Sequence, residues 1–202
     1  MRKIILLLLV VSAVFANDTI NKYSLRVAYG KSTSSDLGNV LSWQIDSDTA
    51  SLYSYNIDGG YLLASDFFDL PIDIYAKLGL SYYDEGVKAN AYGVDTYIKA
   101  YYNLDFSKNR VRFGFGEGVS YTTKTLRTEE YAAQANNDNT SKFLNYLDIS
   151  VDFDIGKLIH YKALSQTYVG FLIKHRSGIF GTINNVKHGG SNYNSIYLER
   201  KF

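Results

Sequence analysis

The chain has 202 residues, with 21 basic and 20 acidic side chains and no cysteine. This near-neutral balance gives no global attraction to nucleic acid, and the lack of cysteine excludes disulfide bonds and thiolate metal sites. The 19 Tyr and 11 Phe against a single Pro favour a protein built from β-strands.

The first predicted element is a secretory signal peptide over residues 1–16. Arg2 and Lys3 precede an apolar run from Ile4 to Val11, and Val14-Phe15-Ala16 supplies a cleavage site. The mature chain, residues 17–202, is then expected to form one domain. It has no stretch of ~20 apolar residues, so we predict no transmembrane helix.

Apolar and polar residues alternate through the rest of the chain, as in strands with one wet face. In one such segment, Ile74, Leu78 and Leu80 take even positions, while Asp73 and Lys77 take odd ones. The segment Val40 to Ile45 is left open as an additional strand. The eight predicted strands are Tyr23 to Gly30, Tyr53 to Leu63, Ile72 to Tyr82, Val94 to Leu104, Val111 to Tyr121, Leu147 to Ile155, Thr167 to Ser177 and Asn192 to Phe202.

The polar face decides between two architectures, because alternation alone fits both a soluble β-sandwich and a membrane barrel. It carries small residues and charges of both signs, which suits a narrow, salt-bridged interior. The chain also ends on an aromatic residue, Phe202, as outer-membrane barrels do. We therefore predict an all-β fold: an eight-stranded, antiparallel, up-and-down transmembrane β-barrel in the outer membrane of a Gram-negative bacterium. A barrel of this size is filled by side chains and is not a pore.

Four connections are then extracellular loops, if both termini lie in the periplasm. They span Lys31 to Leu52, Tyr83 to Gly93, Thr122 to Tyr146 and Gly178 to Ser191. The inner turns are expected at Ser65 to Leu70, Asp105 to Arg110 and Gly156 to Leu164. This arrangement places the end of the seventh strand at the outer leaflet, where lipopolysaccharide lies.

A polar patch interrupts the lipid-facing row at that point. His175 and Ser177 continue the odd-numbered apolar row of the seventh strand, and Asn192 and Asn194 take the outward register of the eighth. Residues two apart on one strand face lie about 6.6–6.8 Å apart. A His and a Ser so placed suit nucleophilic acyl transfer, in which the imidazole takes the hydroxyl proton.

The residues around this patch resemble a known family. The stretches His175-Arg176-Ser177-Gly178-Ile179-Phe180-Gly181 and Gly189-Gly190-Ser191-Asn192-Tyr193-Asn194 are similar to the PagL-type lipid A 3-O-deacylases, or acyloxyacyl hydrolase-like proteins. The motif similarity covers only the C-terminal part of the chain. It implies an eight-stranded outer-membrane barrel whose outer wall carries a catalytic Ser and His that hydrolyse an ester-linked acyl chain of lipid A.

The resemblance also implies roles for single residues. His175 would be the general base and Ser177 the nucleophile, while Asn192 stands where the family has a Glu that orients the His. Gly178 stands where the family has an Asn after the Ser. Oxyanion stabilisation would then fall to the Gly178 amide and to Asn184. Lipid A is the expected partner, and no cofactor or metal is expected.

Four cations near the patch have two interpretations. Lys174, Arg176, Lys187 and His188 either bind lipid A phosphates or are ordinary loop charges. Asn194 joins them as a candidate substrate-binding residue. The patch itself is either catalytic or a polar rim of a non-enzymatic barrel used for adhesion or envelope stability. Whether two barrels form a homodimer is left open.

Two further features favour structural interpretations. Glu117 interrupts an outward row after Phe113 and Phe115, which indicates either a second polar spot or, more in keeping with the flanking glycines, a β-bulge. Separately, three aspartates on the sixth strand resemble a metal cluster but face the interior, so salt bridges with Lys77, Lys99 or Arg112 are the preferred interpretation. They are Asp148, Asp152 and Asp154.

Overall fold

The structure, a computed structural model, describes residues 21–46 and 51–202. The predicted signal peptide lies outside the described residues. Eight antiparallel strands pair in chain order, and β1 pairs with β8 to close a barrel. This confirms the predicted fold. The strands are β1 (Tyr23–Thr33), β2 (Tyr53–Ala64), β3 (Ile72–Asp84), β4 (Ala91–Phe106), β5 (Asn109–Thr122), β6 (Phe143–Asp154), β7 (Thr167–Ser177) and β8 (Ser191–Lys201).

The barrel has its apolar residues outside and its charges inside. On β3, Leu78 and Leu80 are 55% and 54% exposed, whereas Tyr75 and Lys77 in the alternate row are buried. The same arrangement, the inverse of a soluble protein's, holds around the barrel, where exposed Val, Ile, Leu, Phe and Tyr side chains form the outer surface. A soluble sandwich would bury this face, so the inversion identifies the fold as a barrel of the membrane-spanning type.

Ion pairs fill the interior. The Arg26 guanidinium donates to Asp58 at 3.1 Å and to Asp148 at 2.6 Å, and Lys99 also pairs with Asp148. A second group centres on Glu199, described below. The predicted salt bridges of the sixth-strand aspartates are thus confirmed for Asp148, and Asp152 likewise pairs with Arg112 at 2.7 Å.

The third of these aspartates has a different role. Asp154 ends β6, and its carboxylate accepts the backbone N–H of Lys157 at 3.0 Å and that of Gln166 at 2.8 Å. It therefore caps the short helix that follows, Ile155–Leu158, and ties down the turn before β7.

Glycines on β5 make room for large interior side chains. A Cβ built on Gly114 would lie 2.7 Å from Lys99 Cε, and one on Gly116 would lie 3.0 Å from the Tyr97 ring. Pairing of β5 with both neighbours runs without a register shift. The expected bulge is therefore wrong, and Glu117 is an exposed carboxylate on the apolar outer wall.

Helical segments occupy the connections. They are α1 (Leu37–Leu41), α2 (Arg127–Asn136) and α3 (Ile155–Leu158), with single 3-10 turns at Phe67–Asp69 and Lys162–Leu164. The additional strand considered for Val40 to Ile45 is wrong, since α1 ends within this segment and residues 42–46 form no strand. Its cap is Asp36, whose carboxylate accepts the Asn39 N–H at 2.9 Å. Among the described residues, no helix combines the length and apolar character needed to cross a bilayer.

Long connections gather at one end of the barrel, which we call the loop end, and the termini mark the other, the turn end. Helix α2 closes the interior at the loop end, because its buried Glu129 accepts hydrogen bonds from Arg176 and Ser191. Exposed aromatic rings lie near both ends. Tyr23 contacts Tyr61 and Phe202 at the turn end, and five tyrosines form a chain of ring contacts towards the loop end: Tyr29, Tyr53, Tyr55, Tyr82 and Tyr92. Two such bands are typical of barrels that cross a bilayer.

The interior network predicts a large difference between buried and exposed ion pairs. Glu199 accepts from Tyr101 at 2.6 Å and from Arg112 at 2.9 Å, and it pairs with Lys77. Because Glu199→Ala leaves buried cations without this partner, we expect the free energy of unfolding to fall by about 3–5 kcal/mol. Denaturant unfolding of the wild-type and variant barrels in lipid vesicles measures this loss of free energy.

The matched control removes an exposed pair. Asp105 accepts from Arg110 at 2.6 Å in a largely solvent-accessible position, so Asp105→Ala should cost less than about 1 kcal/mol. Equal losses for the two variants would contradict the importance given to the interior pairs.

Candidate functional site on the outer wall

The outward row of β7 carries the candidate residues. Phe171 in this row is 61% exposed, whereas Leu172, Lys174 and Arg176 in the alternate row are buried. His175 and Ser177 continue the Phe171 row and are half-buried. The predicted register of β7 is therefore confirmed, and both side chains lie on the outer wall at the loop end.

His175 forms a hydrogen bond with Asn192 on the neighbouring strand. The two residues are direct cross-strand partners, and His175 Nδ1 lies 2.7 Å from Asn192 Oδ1. The other end of the amide is fixed as well, because Asn192 Nδ2 donates to the Ser35 carbonyl at 2.9 Å. This second bond assigns the amide orientation, so the oxygen faces the ring.

The orientation of the amide determines the tautomer of the imidazole. An amide oxygen only accepts, so the His175 Nδ1 must carry the proton. In the neutral ring, Nε2 is then left with a free lone pair. This is the state in which a histidine acts as a general base towards a hydroxyl group.

Ser177 lies beside the ring on the same face. In the part of the chain that the structure describes, no hydrogen bond joins the Ser177 hydroxyl to His175. The two side chains nevertheless border one small space: a Cβ built on Gly190 would lie 3.7 Å from Ser177 Cβ and 3.8 Å from His175 Cε1. The same Cβ would lie only 2.8 Å from the Arg176 carbonyl oxygen, so Gly190 lets the chain pass close to the β7 backbone and puts no side chain beside His175 and Ser177.

Two cations in the alternate row of β7 hold the strand in place from the interior. Lys174 donates to Asn56 at 2.8 Å and to Asp95 at 2.6 Å, and Arg176 pairs with Glu129. This corrects the expectation that Lys174 and Arg176 bind lipid A phosphates. Their side chains are almost fully buried in the barrel, because even-numbered positions of β7 face inward.

The turn after Ser177 is tight and conformationally strained. Gly178 packs against the next part of the loop so closely that a Cβ there would lie 2.1 Å from the Val186 carbonyl oxygen. Ile179 and Phe180 follow with φ of 47° and 53°. Left-handed backbone is rare for a β-branched residue and costs about 1–3 kcal/mol where it occurs. Such strain is common beside functional residues.

Asn184 does not supply a free donor. Its amide nitrogen donates to Ser141 Oγ at 2.9 Å and to the Phe143 carbonyl at 2.8 Å, which uses both amide hydrogens. This corrects the expectation that Asn184 stabilises an oxyanion. The role expected for the Gly178 amide stays a prediction.

The remaining candidate binding residues surround the site at the surface. Lys187 and His188 are exposed, and their backbone N–H groups both donate to Asp138. These hydrogen bonds lower the pKa of Asp138. Asn194 is half-buried in the outward row of β8, opposite Ile173. Lipid binding by Lys187, His188 and Asn194 stays a prediction.

The structure adds two groups that the sequence analysis did not single out. One is the Ser35 carbonyl, a backbone atom that no sequence pattern marks. The other is Asn145, which lies directly across from Ser177 and is only 5% exposed. The alternation Phe143, Asn145, Leu147 would have placed Asn145 in the outward row if the sixth strand had been extended to its observed start.

The fold is similar to those of solved outer-membrane barrels. The crystal structure of the outer membrane enzyme PagL matches with a TM-score of 0.61 and 12% identity over 89% of this chain and 99% of that one. Neisserial surface protein A matches with a TM-score of 0.51 and 16% identity over 91% and 98%. No family model matches the chain, and no curated protein sequence does.

These likenesses establish the class of protein. The chain has the fold of the eight-stranded outer-membrane β-barrels, a group that includes one named enzyme and one surface protein. At this level of identity the comparisons support the barrel fold and do not extend to the chemistry of the outer wall.

The hydrogen bond to Asn192 predicts the tautomer of His175. With the ring neutral, we expect ¹⁵N NMR of the barrel in micelles to show a protonated Nδ1 and an unprotonated Nε2. Asn192→Leu should let the Nε2-protonated form become substantially populated, because the acceptor for Nδ1–H is gone. A wild-type ring protonated mainly at Nε2 would contradict the assigned geometry.

The contact of Asp138 with the loop before β8 should depend on pH. Because the pKa of Asp138 is lowered in the folded protein, the contact is stabilising at neutral pH and is lost as the pH falls through that lowered pKa. The amide ¹H shifts of Lys187 and His188, followed by NMR, should titrate together in that acidic range. In Asp138→Asn this titration should disappear, and its persistence there would assign it to another group.

Proposed function

We propose that the protein is an outer-membrane lipid A deacylase of a Gram-negative bacterium: a serine esterase that hydrolyses an ester-linked acyl chain of lipopolysaccharide. The observation that carries the proposal is the 2.7 Å contact between His175 Nδ1 and Asn192 Oδ1 on the outer wall. A half-buried, oriented imidazole has no structural need to lie beside a serine in a row of lipid-facing residues. A role as general base explains why the His175 imidazole lies beside Ser177.

The proposed reaction follows the general scheme of serine esterases. The Ser177 oxygen attacks the ester carbonyl carbon of lipid A, and His175 Nε2 takes the hydroxyl proton. The tetrahedral intermediate expels the sugar oxygen, which receives that proton from His175, and an acyl-enzyme remains. Water then attacks the acyl-enzyme carbonyl while His175 takes one of its protons. The acyl bond to Ser177 breaks, the serine oxygen receives that proton from His175, and a free fatty acid leaves.

The location of the site suits a lipid substrate. Both side chains lie on the outer wall near the loop end, which in the proposed orientation is at the level of the outer leaflet. An acyl chain could therefore reach Ser177 from the bilayer without entering the barrel, whose interior is filled with ion pairs.

The amide of Asn192 sets a limit on the rate. It holds the imidazole in the required tautomer, but it cannot stabilise the positive charge that develops on the ring as a carboxylate does. We therefore expect a slower enzyme than one with a carboxylate at this position.

A second candidate function rests on a different observation. The Ser177 hydroxyl makes no hydrogen bond to His175, and the fold is also similar to that of a surface protein. In this alternative the barrel is not an enzyme, and its long loops serve adhesion or envelope stability.

Mass spectrometry of lipid A distinguishes the two functions. We expect Gram-negative cells that express the wild-type protein to yield lipid A lacking one acyl chain. Ser177→Ala and His175→Ala remove the nucleophile and the base, so each should leave lipid A fully acylated. Unchanged lipid A in all three strains, with the barrels folded in the outer membrane, would contradict the esterase and favour the second candidate.

A further inference from the structure

We infer that Asn145 is the oxyanion donor of this site: its side-chain amide stabilises the negative charge that forms on the carbonyl oxygen of the ester attacked by Ser177. The inference rests on the proposed function and assigns a residue on β6 to it. It starts from an unusual combination at Asn145, which is buried although its side chain has no hydrogen-bonding partner among the described residues.

Asn145 points to the same face as Ser177. The two are direct cross-strand partners in the β6–β7 ladder, and paired residues project from the same side of a sheet, with Cβ atoms about 4.5–5.5 Å apart. The neighbours of Asn145 on β6, Leu144 and Tyr146, are buried on the interior side. The amide thus belongs to the outer wall and lies within one side-chain length of the Ser177 hydroxyl.

Asn145 is almost entirely buried, and its amide is unused. Asn145 is only 5% exposed, and its side chain makes no hydrogen bond with any other described residue. Burying an amide without a partner costs free energy, so most buried amides in proteins are hydrogen-bonded. A site that binds an anionic intermediate is one place where an unpaired donor is useful, because the donor is satisfied only when the charge develops.

The surroundings of Ser177 define where that charge would lie. On the β8 side, Gly190 puts no side chain next to Ser177. On the β6 side, the only side chain directly opposite is Asn145. An ester that approaches Ser177 from the β8 side, over Gly190, would direct its carbonyl oxygen towards the β6 side and the Asn145 amide. Asn184, the side chain first considered for this role, already uses both amide hydrogens.

The test is steady-state kinetics of the purified barrel on lipid A in mixed micelles. An oxyanion donor acts in the transition state, so Asn145→Ala should lower kcat about 100- to 1000-fold and leave KM nearly unchanged. Asn145→Asp has the same shape but no donor and carries a negative charge, so it should be at least as slow. Asn145→Gln retains the amide and should recover part of the lost kcat.

Controls separate this role from a structural one. Glu117→Gln changes an exposed outer-wall residue on the other side of β6 and should keep wild-type kinetics. The gel mobility shift between unheated and boiled samples checks that each barrel is folded. If Asn145→Ala keeps kcat within a few-fold of the wild type, or changes only KM, the inference is wrong while the esterase stands. If wild type and Ser177→Ala are equally inactive, the proposed function fails and the inference with it.

Discussion

The pairing of charges inside the barrel is the constraint on which the rest of the structure depends. Side chains fill a narrow barrel and leave little room for water, so each interior cation needs an acidic or polar partner there. On β7, Lys174 meets this need with Asp95 and Arg176 with Glu129. Because strand residues alternate between faces, these two inward contacts fix His175 and Ser177 on the outer wall. The position of the candidate site is thus a consequence of the interior.

Strand pairing then converts that position into a defined geometry. Closure of β7 onto β8 brings His175 opposite Asn192, and the first loop supplies the Ser35 carbonyl that holds the far end of the amide. Each contact limits the freedom of the next, so the imidazole is oriented before any substrate binds. Pre-organisation of this kind lowers the reorganisation needed during a reaction. The strained turn at Ile179 shows that the backbone next to Ser177 is held by its surroundings as well.

The strands could be predicted from the sequence because their signal is a period of two that spans whole segments. All eight were found, with the largest error at the start of β6, and that error concealed Asn145. The segment from Val40 was harder, because a short apolar run is compatible with strand and helix alike, and the cap at Asp36 decides for helix. Contacts between loops leave no periodic signal, so the hydrogen bond from Asn184 to the Phe143 carbonyl could not be predicted from the sequence.

The most direct test of the central claim is covalent capture of the nucleophile. The folded barrel in micelles would be treated with a long-chain alkyl fluorophosphonate, which phosphonylates activated serine hydroxyls, and the adduct would be mapped by peptide mass spectrometry. We predict one adduct, on Ser177, that does not form in His175→Ala. A folded barrel that remains unmodified, or is modified only at another residue, would contradict a reactive serine on the outer wall.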